Sequence, residues 1–516
     1  MRPYSLSSPI GSSLATMPCD HVSDPNYKEG AIPMLAAIVK RELIDHLISL
    51  RFGLALVLTV GLMVLNALGF VGGSYEFRRD HYLEQVQAEQ EIRRSNAQQG
   101  LWKLILHSGQ TYIYKKPSPL MFCATGADDA LPERLWTMGG ETSHNRTKVY
   151  SPFVLVYSDI IDIWAPKAGQ LLETQAIDWV FIIGVLLSLM ALLFTFDAFI
   201  GEKERGTLKL VMAQSLPRHT LLLGKFLGAM LALAIVLSLA IVVNLLIVLA
   251  LSKVNLGLVE AGRLVGMVGL SLLYLACFVG LGLWVSIRSS TTRSSLVGVL
   301  LLWTCGALLW PATGGALAAR VLVSEFEEEI TLGWGFSNYN TPAHQKLLHI
   351  KSRLRNRDLR KPEKVRQLAD AQRAVRQVRQ DREDRFLAHS LGEVENARHI
   401  ARLSPTGCFQ YGMEALAGTG PARHRSFVKQ VRTYVQQFEQ TMLNLDRDDP
   451  KSMHIHLVAQ GLSRQKIDPG TLPVFTEDMS ATTLLRHAVI DVIGLFFFAM
   501  LTYMLAYRSW LRASIV

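Results

Sequence analysis

The sequence has little charge and lacks the common catalytic motifs. Only 19% of its 516 residues are Asp, Glu, Lys or Arg, whereas 50% are apolar. It contains no GxxxxGK[ST] loop, so the chain cannot bind ATP through that motif. HExxH and GxSxG are also missing, so no motif supports a zinc or serine hydrolase.

Metal-binding patterns are equally scarce. The five cysteines form no CxxC pair, which argues against a zinc or iron–sulfur site. His454 and His456 are one candidate pair of metal ligands. Alternating histidines more commonly lie on the surface of a strand or loop, so no metal site is predicted.

Long apolar runs are what the sequence has instead. Each run reaches the ~20 residues that a helix needs to cross a ~30 Å hydrocarbon core. They exclude a simple soluble enzyme, a disordered chain and a β-barrel, whose strands would alternate over ~10 residues. The sequence therefore predicts a mainly α, polytopic membrane protein with six transmembrane helices, at 52–72, 176–199, 221–251, 264–287, 295–319 and 487–507.

The distribution of Lys and Arg predicts the orientation. The short outside loop 252–263 has only Lys253 and Arg263. The other short segments hold many more: Lys40, Arg41, Arg51, Lys203, Arg205, Lys209, Arg218, Arg288, Arg293, Arg508 and Arg512. Short segments rich in Lys and Arg stay on the cytoplasmic side of a membrane, so both termini are predicted to be cytoplasmic. The membrane is predicted to be a bacterial inner membrane. The net charge of +10 reflects this topology, and no nucleic-acid partner is predicted.

The two ends of the chain flank this core. Residues 1–30 are polar and have no apolar core, so we expect a disordered tail and not a signal peptide; a start at Met34 is an alternative. Residues 31–51 have an apolar face and predict an amphipathic helix at the membrane surface. Its alternative is a simple extension of span 1. Residues 508–516 form a short cytoplasmic tail.

Two long loops predict extracytoplasmic domains. Segment 73–175 contains β-branched and aromatic stretches and predicts a small α/β domain. Segment 320–486 has apolar residues at helical spacing and therefore predicts a larger, mostly helical domain with a helix break near Pro362. The basic residues in 346–402 suit an anionic lipid or glycan, but a solvated helix surface is the favoured explanation for them.

Two cysteines fall in these loops. Cys123 and Cys408 lie one in each predicted domain. A disulfide between them would clamp the domains together in an oxidising periplasm. The alternative is two unpaired, buried thiols.

The loop 200–220, between spans 2 and 3, is the most informative stretch. Four consecutive charges precede Gly206 and Thr207, with Thr207 as the predicted N-cap of a short helix that Pro217 stops. The helix has an apolar face, which suits docking into a groove of a partner. The alternative is a helix that only rests on lipid.

Three stretches resemble ABC-2 type transporter permeases. GEKERGTLKL (201–210), followed by SLPR and LGKFLG, is similar to the coupling loop of that family. KRELIDHLISLRF (40–52) resembles its first amphipathic helix, and VGLGLWVSIRSSTTRSSLVGVLL (279–301) its span 4 to span 5 turn. The long loops, including LSPTGCFQYGMEALAGTG (403–420), resemble a subgroup with large ectodomains.

The resemblance implies a role for the loop residues. They would contact a separate ATP-binding cassette ATPase, with Glu202 and Glu204 facing basic groups and Gly206 permitting the turn. The implied coupling residues are Glu202, Glu204, Arg205, Gly206, Thr207, Lys209, Pro217 and Arg218. The family implies no catalytic residue and no cofactor on this chain, since ATP and Mg²⁺ bind the partner. It also implies a dimer with a second permease copy or paralogue.

Two functional hypotheses follow. The first is a permease subunit that moves an unidentified substrate, with export expected, powered by a separate ATPase. The absence of carboxylates near the middle of the spans argues against an ion-driven transporter. The alternative is an ATPase-driven mechanotransmitter that acts on an envelope protein through the ectodomains. A membrane receptor is disfavoured because no cytoplasmic output domain is present.

Overall fold

The computed structural model describes residues 27–107, 111–126, 134–144, 147–156, 177–213, 216–254, 256–310, 341–355, 357–479 and 481–513. Residues 1–26 of the predicted tail and residues 311–340, with the end of the fifth window, lie outside the described residues. Within these described ranges, six helices are long and apolar enough to cross a membrane, which confirms a mainly α, multi-pass membrane protein. The six spans are Leu50–Ala97, Trp179–Glu204, Arg218–Leu251, Leu258–Arg288, Thr292–Leu309 and Leu485–Arg512.

A separate helix precedes span 1. Helix α1 (Tyr27–Ile48) ends at Ser49, whose extended backbone breaks the helix and whose hydroxyl accepts a hydrogen bond from the Phe52 N–H. Helix α2 (Leu50–Gly69), a π-helical turn (Phe70–Ser74) and α3 (Tyr75–Ala97) then follow without interruption. Span 1 therefore continues beyond the membrane as a stalk.

Spans 2 to 5, together with span 6 near the end of the chain, form the rest of the central bundle. Span 2 consists of α5 (Trp179–Phe181), a π-helical stretch (Ile182–Leu187) and α6 (Ser188–Thr195). The next elements are α7 (Ile200–Glu204), α8 (Thr207–Ala213), α9 (Arg218–Leu251), α10 (Leu258–Arg288) and α11 (Thr292–Trp303), which ends in a π-helical turn (Thr304–Leu309). The face of the bundle with α7 and α8 is called the loop side, and the opposite face the domain side.

The domain side has a small sheet and a group of helices. Helix α4 (Leu101–His107) precedes an antiparallel sheet in the order β1 (Thr111–Tyr114), β2 (Arg134–His144), β3 (Thr147–Val156). The later elements are α12 (Pro342–Arg353), a 3₁₀ turn (Asp358–Arg360), α13 (Pro362–Ala401), α14 (Pro405–Ala417), α15 (Pro421–Arg447), 3₁₀ turns at Ala459–Gly461 and Pro469–Thr471, and α16 (Ala481–Arg512). The helix break near Pro362 is present, because proline opens α13.

The two predicted ectodomain segments share one hydrophobic core. Buried apolar residues of both segments pack together: Ala97, Leu101, Leu104, Ile113 and Leu135 from the first, and Phe427, Val428, Val431, Val435, Phe438, Met442, Leu462 and Leu472 from the second. Burial of this surface ties the segments into one unit. The sequence pattern alone does not show this pairing, because the two groups of residues lie roughly 290 to 375 positions apart in the chain.

Helix α14 connects that unit to the membrane bundle. Its Phe409 ring stacks on Tyr274 of span 4, with centroids 4.4 Å apart. Just before α14, Arg402 forms a bidentate ion pair with Asp491 of span 6, at 2.6 and 3.1 Å. The domain side is therefore anchored directly to spans 4 and 6.

Cys123 and Cys408 are not joined in a disulfide. Both are buried, free thiols. The Cys408 thiol donates a hydrogen bond to the Arg402 carbonyl, at 3.2 Å, at the start of α14. The structure therefore has the second of the two alternatives, and burial raises the pKa of both thiols.

Candidate functional site

The 200–220 loop is a pair of short helices joined by one glycine. Gly206 adopts φ +74°, a backbone conformation that side-chain-bearing residues rarely adopt, and it turns the chain from α7 into α8. Thr207 is the first residue of α8, and its hydroxyl donates to the Glu202 carbonyl at 3.3 Å. Thr207 thus links α8 to α7, instead of capping α8 as expected.

Glu202 belongs to a buried ion cluster. The ammonium group of Lys225, on span 3, lies 2.8 Å from a carboxylate oxygen of Glu202 and 2.8 Å from one of Glu42 on α1. The Lys225 side chain is 3% exposed and the two carboxylates 14–15%. Glu202 therefore faces the protein interior, and the expectation that it meets basic groups of a partner does not agree with this position.

Glu204 is exposed but also makes an internal contact. Its carboxylate accepts hydrogen bonds from the backbone N–H and the hydroxyl of Thr292, at 2.8 and 2.6 Å. Thr292 is the first residue of span 5, so Glu204 compensates the positive end of that helix. The loop and span 5 are thereby joined.

Span 4 holds the start of α7. The hydroxyl of Ser286 accepts hydrogen bonds from the backbone N–H groups of Phe199 and Ile200, at 3.0 and 3.2 Å. These are donors that the first turn of a helix cannot satisfy by itself. Ser286 is one of the residues in the stretch that resembles the span 4 to span 5 turn of the family.

Spans 1 and 6 hold the two ends of the loop. Arg51 of span 1 forms a bidentate ion pair with Asp197, at 3.0 and 2.8 Å. Arg218 donates to the Leu511 carbonyl at 2.9 Å, and the Trp510 indole N–H donates back to the Arg218 carbonyl at 2.9 Å. With the contacts above, the segment 197–225 touches spans 1, 4, 5 and 6 and helix α1.

Glycines let α1 lie close against span 3. A Cβ at Gly228 would lie 2.6 Å from the Glu42 Cβ, and one at Gly224 would collide with Ile38. The spacing Gly-x-x-x-Gly places both on one helix face, which permits close helix packing. The sequence LGKFLG shows this glycine spacing and the lysine within it. It does not show that α1 packs against them.

We expect Gly228→Ala to loosen α1 from span 3. The added methyl group forces a shift that typically costs about 1–3 kcal/mol. Gly262→Ala, on span 4, is the matched control because a Cβ there meets nothing within 4 Å. The unfolding temperature of the detergent-purified protein should fall for the first variant alone; equal values for the two variants contradict the packing account.

The outer surface of the loop remains available to a partner. Leu208 is 4% exposed and anchors α8, whereas Leu210 is 71% exposed at its outer side. An exposed leucine within a ring of charges is a common composition for a docking surface. We call this surface the loop face; it comprises Lys203, Glu204, Arg205, Lys209 and Leu210, all exposed.

The described residues offer no cluster for a metal. Among the described residues, no group of three or more His, Cys, Asp or Glu side chains is placed to hold one. His454, a candidate from the sequence, has its Nδ1 atom 3.3 Å from Asp446.

The fold and the site define a class: a helical membrane protein whose described residues include six candidate spans, a loop bound to several of these spans on one face, and a unit built from the two long loop segments on the other. A family model described as ABC-2 family transporter protein matches residues 36–375, well over half of the chain. The chain belongs to this family. The matched region includes α1 from residue 36 onward, the loop and spans 1 to 5.

Two curated relatives match parts of the chain. A probable ABC transporter permease protein NosY of Pseudomonas aeruginosa is 38% identical over 144 residues, which are 27% of this chain and 50% of that protein. A protein of the same name from Stutzerimonas stutzeri is 50% identical over 50 residues, 10% of this chain and 18% of that protein. The chain thus spans half or less of the length of these relatives.

Proposed function

We propose that the chain is the membrane-spanning permease subunit of an ABC transporter, driven by a separate ATP-binding cassette ATPase that docks on the loop face. The observation that carries this proposal is the loop itself. Its outer surface is exposed, while its inner side is bound to spans 1, 4, 5 and 6 and to α1. A force applied to α8 is thereby distributed to most of the bundle.

The proposal also covers the orientation of the chain in the membrane and the subunits that assemble with it. The loop side faces the cytoplasm of a bacterial cell, both termini lie there, and the ATPase holds ATP and Mg²⁺. This chain supplies no catalytic residue. A dimer with a second permease copy or paralogue completes the path, and an unidentified substrate is exported. Charge asymmetry of the short loops supports this orientation.

A second function is favoured by the domain side. Helix α14 lies against span 4, and Arg402 is paired with Asp491 of span 6. Movement of these spans would therefore move the domain-side unit as well. In this alternative the chain transmits ATPase-driven motion to an envelope protein, and no substrate crosses the membrane.

We expect Glu204→Lys to release the ATPase. The change removes both bonds to Thr292 and places a positive charge near Arg293, which distorts the loop face. Recovery of the ATPase with the affinity-purified full chain from its native host should fall at least several-fold. A Walker A peptide identifies the ATPase by mass spectrometry.

Glu260→Lys is the matched control for this experiment. The Glu260 carboxylate also accepts a backbone hydrogen bond at a helix start, from Gly257 at 3.0 Å, but on the domain side. Recovery of the ATPase with the Glu260→Lys variant should equal its recovery with the unmodified chain. Normal recovery with Glu204→Lys would count against docking on the loop face.

A further inference from the structure

The charge that the loop face exposes is mostly positive. Lys203, Arg205 and Lys209 are basic, and Glu204 is the single acidic residue of that face. The other acidic residue of the charge cluster, Glu202, is turned inward, with a side chain that is only 15% exposed. The sequence shows equal numbers of acidic and basic residues in this cluster, whereas the folded loop presents mainly its basic groups outward.

The carboxylates around this surface are already engaged within the chain. Their contacts on the loop side are Glu202 with Lys225, Glu204 with Thr292, Asp197 with Arg51 and Asp45 with Arg41. Within the part of the chain that the structure describes, none of these carboxylates forms an ion pair with Lys203 or Lys209. Both lysines are exposed, so their charges are available to a partner.

The positive surface extends beyond the two lysines. The turn between spans 4 and 5 adds two exposed arginines, Arg288 and Arg293. The hydrogen bonds of Glu204 hold this turn beside α7, and the same carboxylate offsets part of the Arg293 charge. Arg205 is also less available, because its Nε atom donates to the Gly201 carbonyl at 3.0 Å. Lys203 and Lys209 are thus the best-defined free charges of a surface that is basic as a whole.

A partner that docks on this surface must supply negative charge. Protein interfaces are arranged so that the electrostatic potentials of the two sides have opposite sign, and like charges placed together are strongly unfavourable. Leu210, next to Lys209 in the chain, adds an apolar side chain that is 71% exposed. A protein surface with both carboxylates and an apolar depression matches these two features. An anionic lipid headgroup would match the charge but not the leucine.

We propose that the ATPase surface that meets the loop face is acidic, with Asp or Glu side chains placed against Lys203 and Lys209. This inference rests on the docking proposed above, and it reverses the sign of charge that the sequence resemblance implies for the partner. Glu202 and Glu204 hold the loop to its own chain, and the lysines meet the ATPase. The loss expected for Glu204→Lys arises from its contacts with Thr292, so that variant does not test the charge of the partner.

Zero-length crosslinking with a carbodiimide tests the sign of the partner's charge directly, because the reagent joins an amine to a carboxylate in contact with it. The full chain is purified from its native host with the ATPase bound, treated with the reagent and digested for mass spectrometry. We expect Lys203 or Lys209 to be linked to an Asp or Glu of the protein with a Walker A motif. If a photo-crosslinker at position 210 captures the ATPase but neither lysine is linked to it, docking stands and the acidic surface is wrong.

Reversing both lysine charges provides the second test. Lys203→Glu combined with Lys209→Glu should lower recovery of the ATPase about tenfold or more, because like charges then face each other. The unfolding temperature of the variant should not change, since both lysines are exposed. Lys209→Arg keeps the charge and should keep normal recovery. Lys253→Glu, an exposed lysine on the domain side, is the matched control and should also give normal recovery.

Ionic strength and lipid retention separate the remaining outcomes. Raising NaCl from about 0.1 to 1 M shortens the Debye length from about 10 to 3 Å and should lower ATPase recovery with the unmodified chain. The fall should be smaller for the double variant Lys203→Gln with Lys209→Gln, in which these charges are absent. Unchanged ATPase recovery with Lys203→Glu and Lys209→Glu, together with less dioleoyl phosphatidylglycerol retained in native mass spectrometry, would assign the lysines to lipid headgroups and overturn the proposal.

Discussion

Replacing Lys225 with methionine is expected to destabilise the protein by about 3–5 kcal/mol, the usual cost of leaving a buried charge without its partner. Two carboxylates, Glu42 and Glu202, both lie 2.8 Å from the ammonium group and are mostly buried. Without Lys225 they repel each other across α1 and α7. The unfolding temperature of the detergent-purified protein and the ATPase recovered with it should both fall.

Two further variants separate this mechanism from a simple loss of a lysine. Lys209→Met removes an exposed lysine of the same loop and should leave the unfolding temperature unchanged. Adding Glu42→Gln and Glu202→Gln to Lys225→Met removes the uncompensated charges and should restore much of the stability. If the triple variant is no more stable than Lys225→Met alone, charge pairing is not the source of the effect.

Asp491→Ala is expected to have an effect of similar size on the domain side. Asp491 is 1% exposed and Arg402 17%, so the variant leaves a largely buried guanidinium group without its carboxylate. A loss of about 3–5 kcal/mol follows from such a change. We expect α14 to separate from span 6, which limited proteolysis between α13 and α15 will detect as faster cleavage.

Two control variants accompany Asp491→Ala, one at an exposed ion pair and one at the same pair. Asp370→Ala breaks an exposed pair with Arg373, whose side chains are 68% and 60% exposed, and should cost less than about 1 kcal/mol. The double variant Arg402→Met with Asp491→Leu replaces the pair with apolar groups and should cost less than Asp491→Ala. Equal cleavage rates for Asp491→Ala and Asp370→Ala contradict the anchoring role of the pair.

Much of the fold could be predicted because membrane spans are a local property of the sequence. A charge-free run of about 20 residues identifies a span without knowledge of its neighbours. The break at Pro362 is equally local. The shared core of the domain-side unit could not be predicted, since Leu101 and Phe427 meet only through the tertiary fold.

The charges identify the loop in the sequence, but they do not identify the residues that those charges contact. A cluster such as Glu202 to Arg205 has the same pattern whether its carboxylates face a partner or the interior. The structure places Glu202 against Lys225 and Glu204 against Thr292, both within this chain. Leu210, which lies within the predicted amphipathic helix, is 71% exposed and is therefore available to a partner.

Photo-crosslinking from position 210 is the most direct test of ATPase docking on the loop face. p-Benzoylphenylalanine in place of Leu210 should capture a protein with a Walker A motif when the full chain is irradiated in its native host. Leu258, which is 91% exposed at the start of span 4 on the domain side, is the matched control position. A crosslink to the ATPase from position 210 and none from position 258 is the predicted result. An ATPase crosslink from position 258, or its absence from position 210 in a complex that still hydrolyses ATP, would contradict the account.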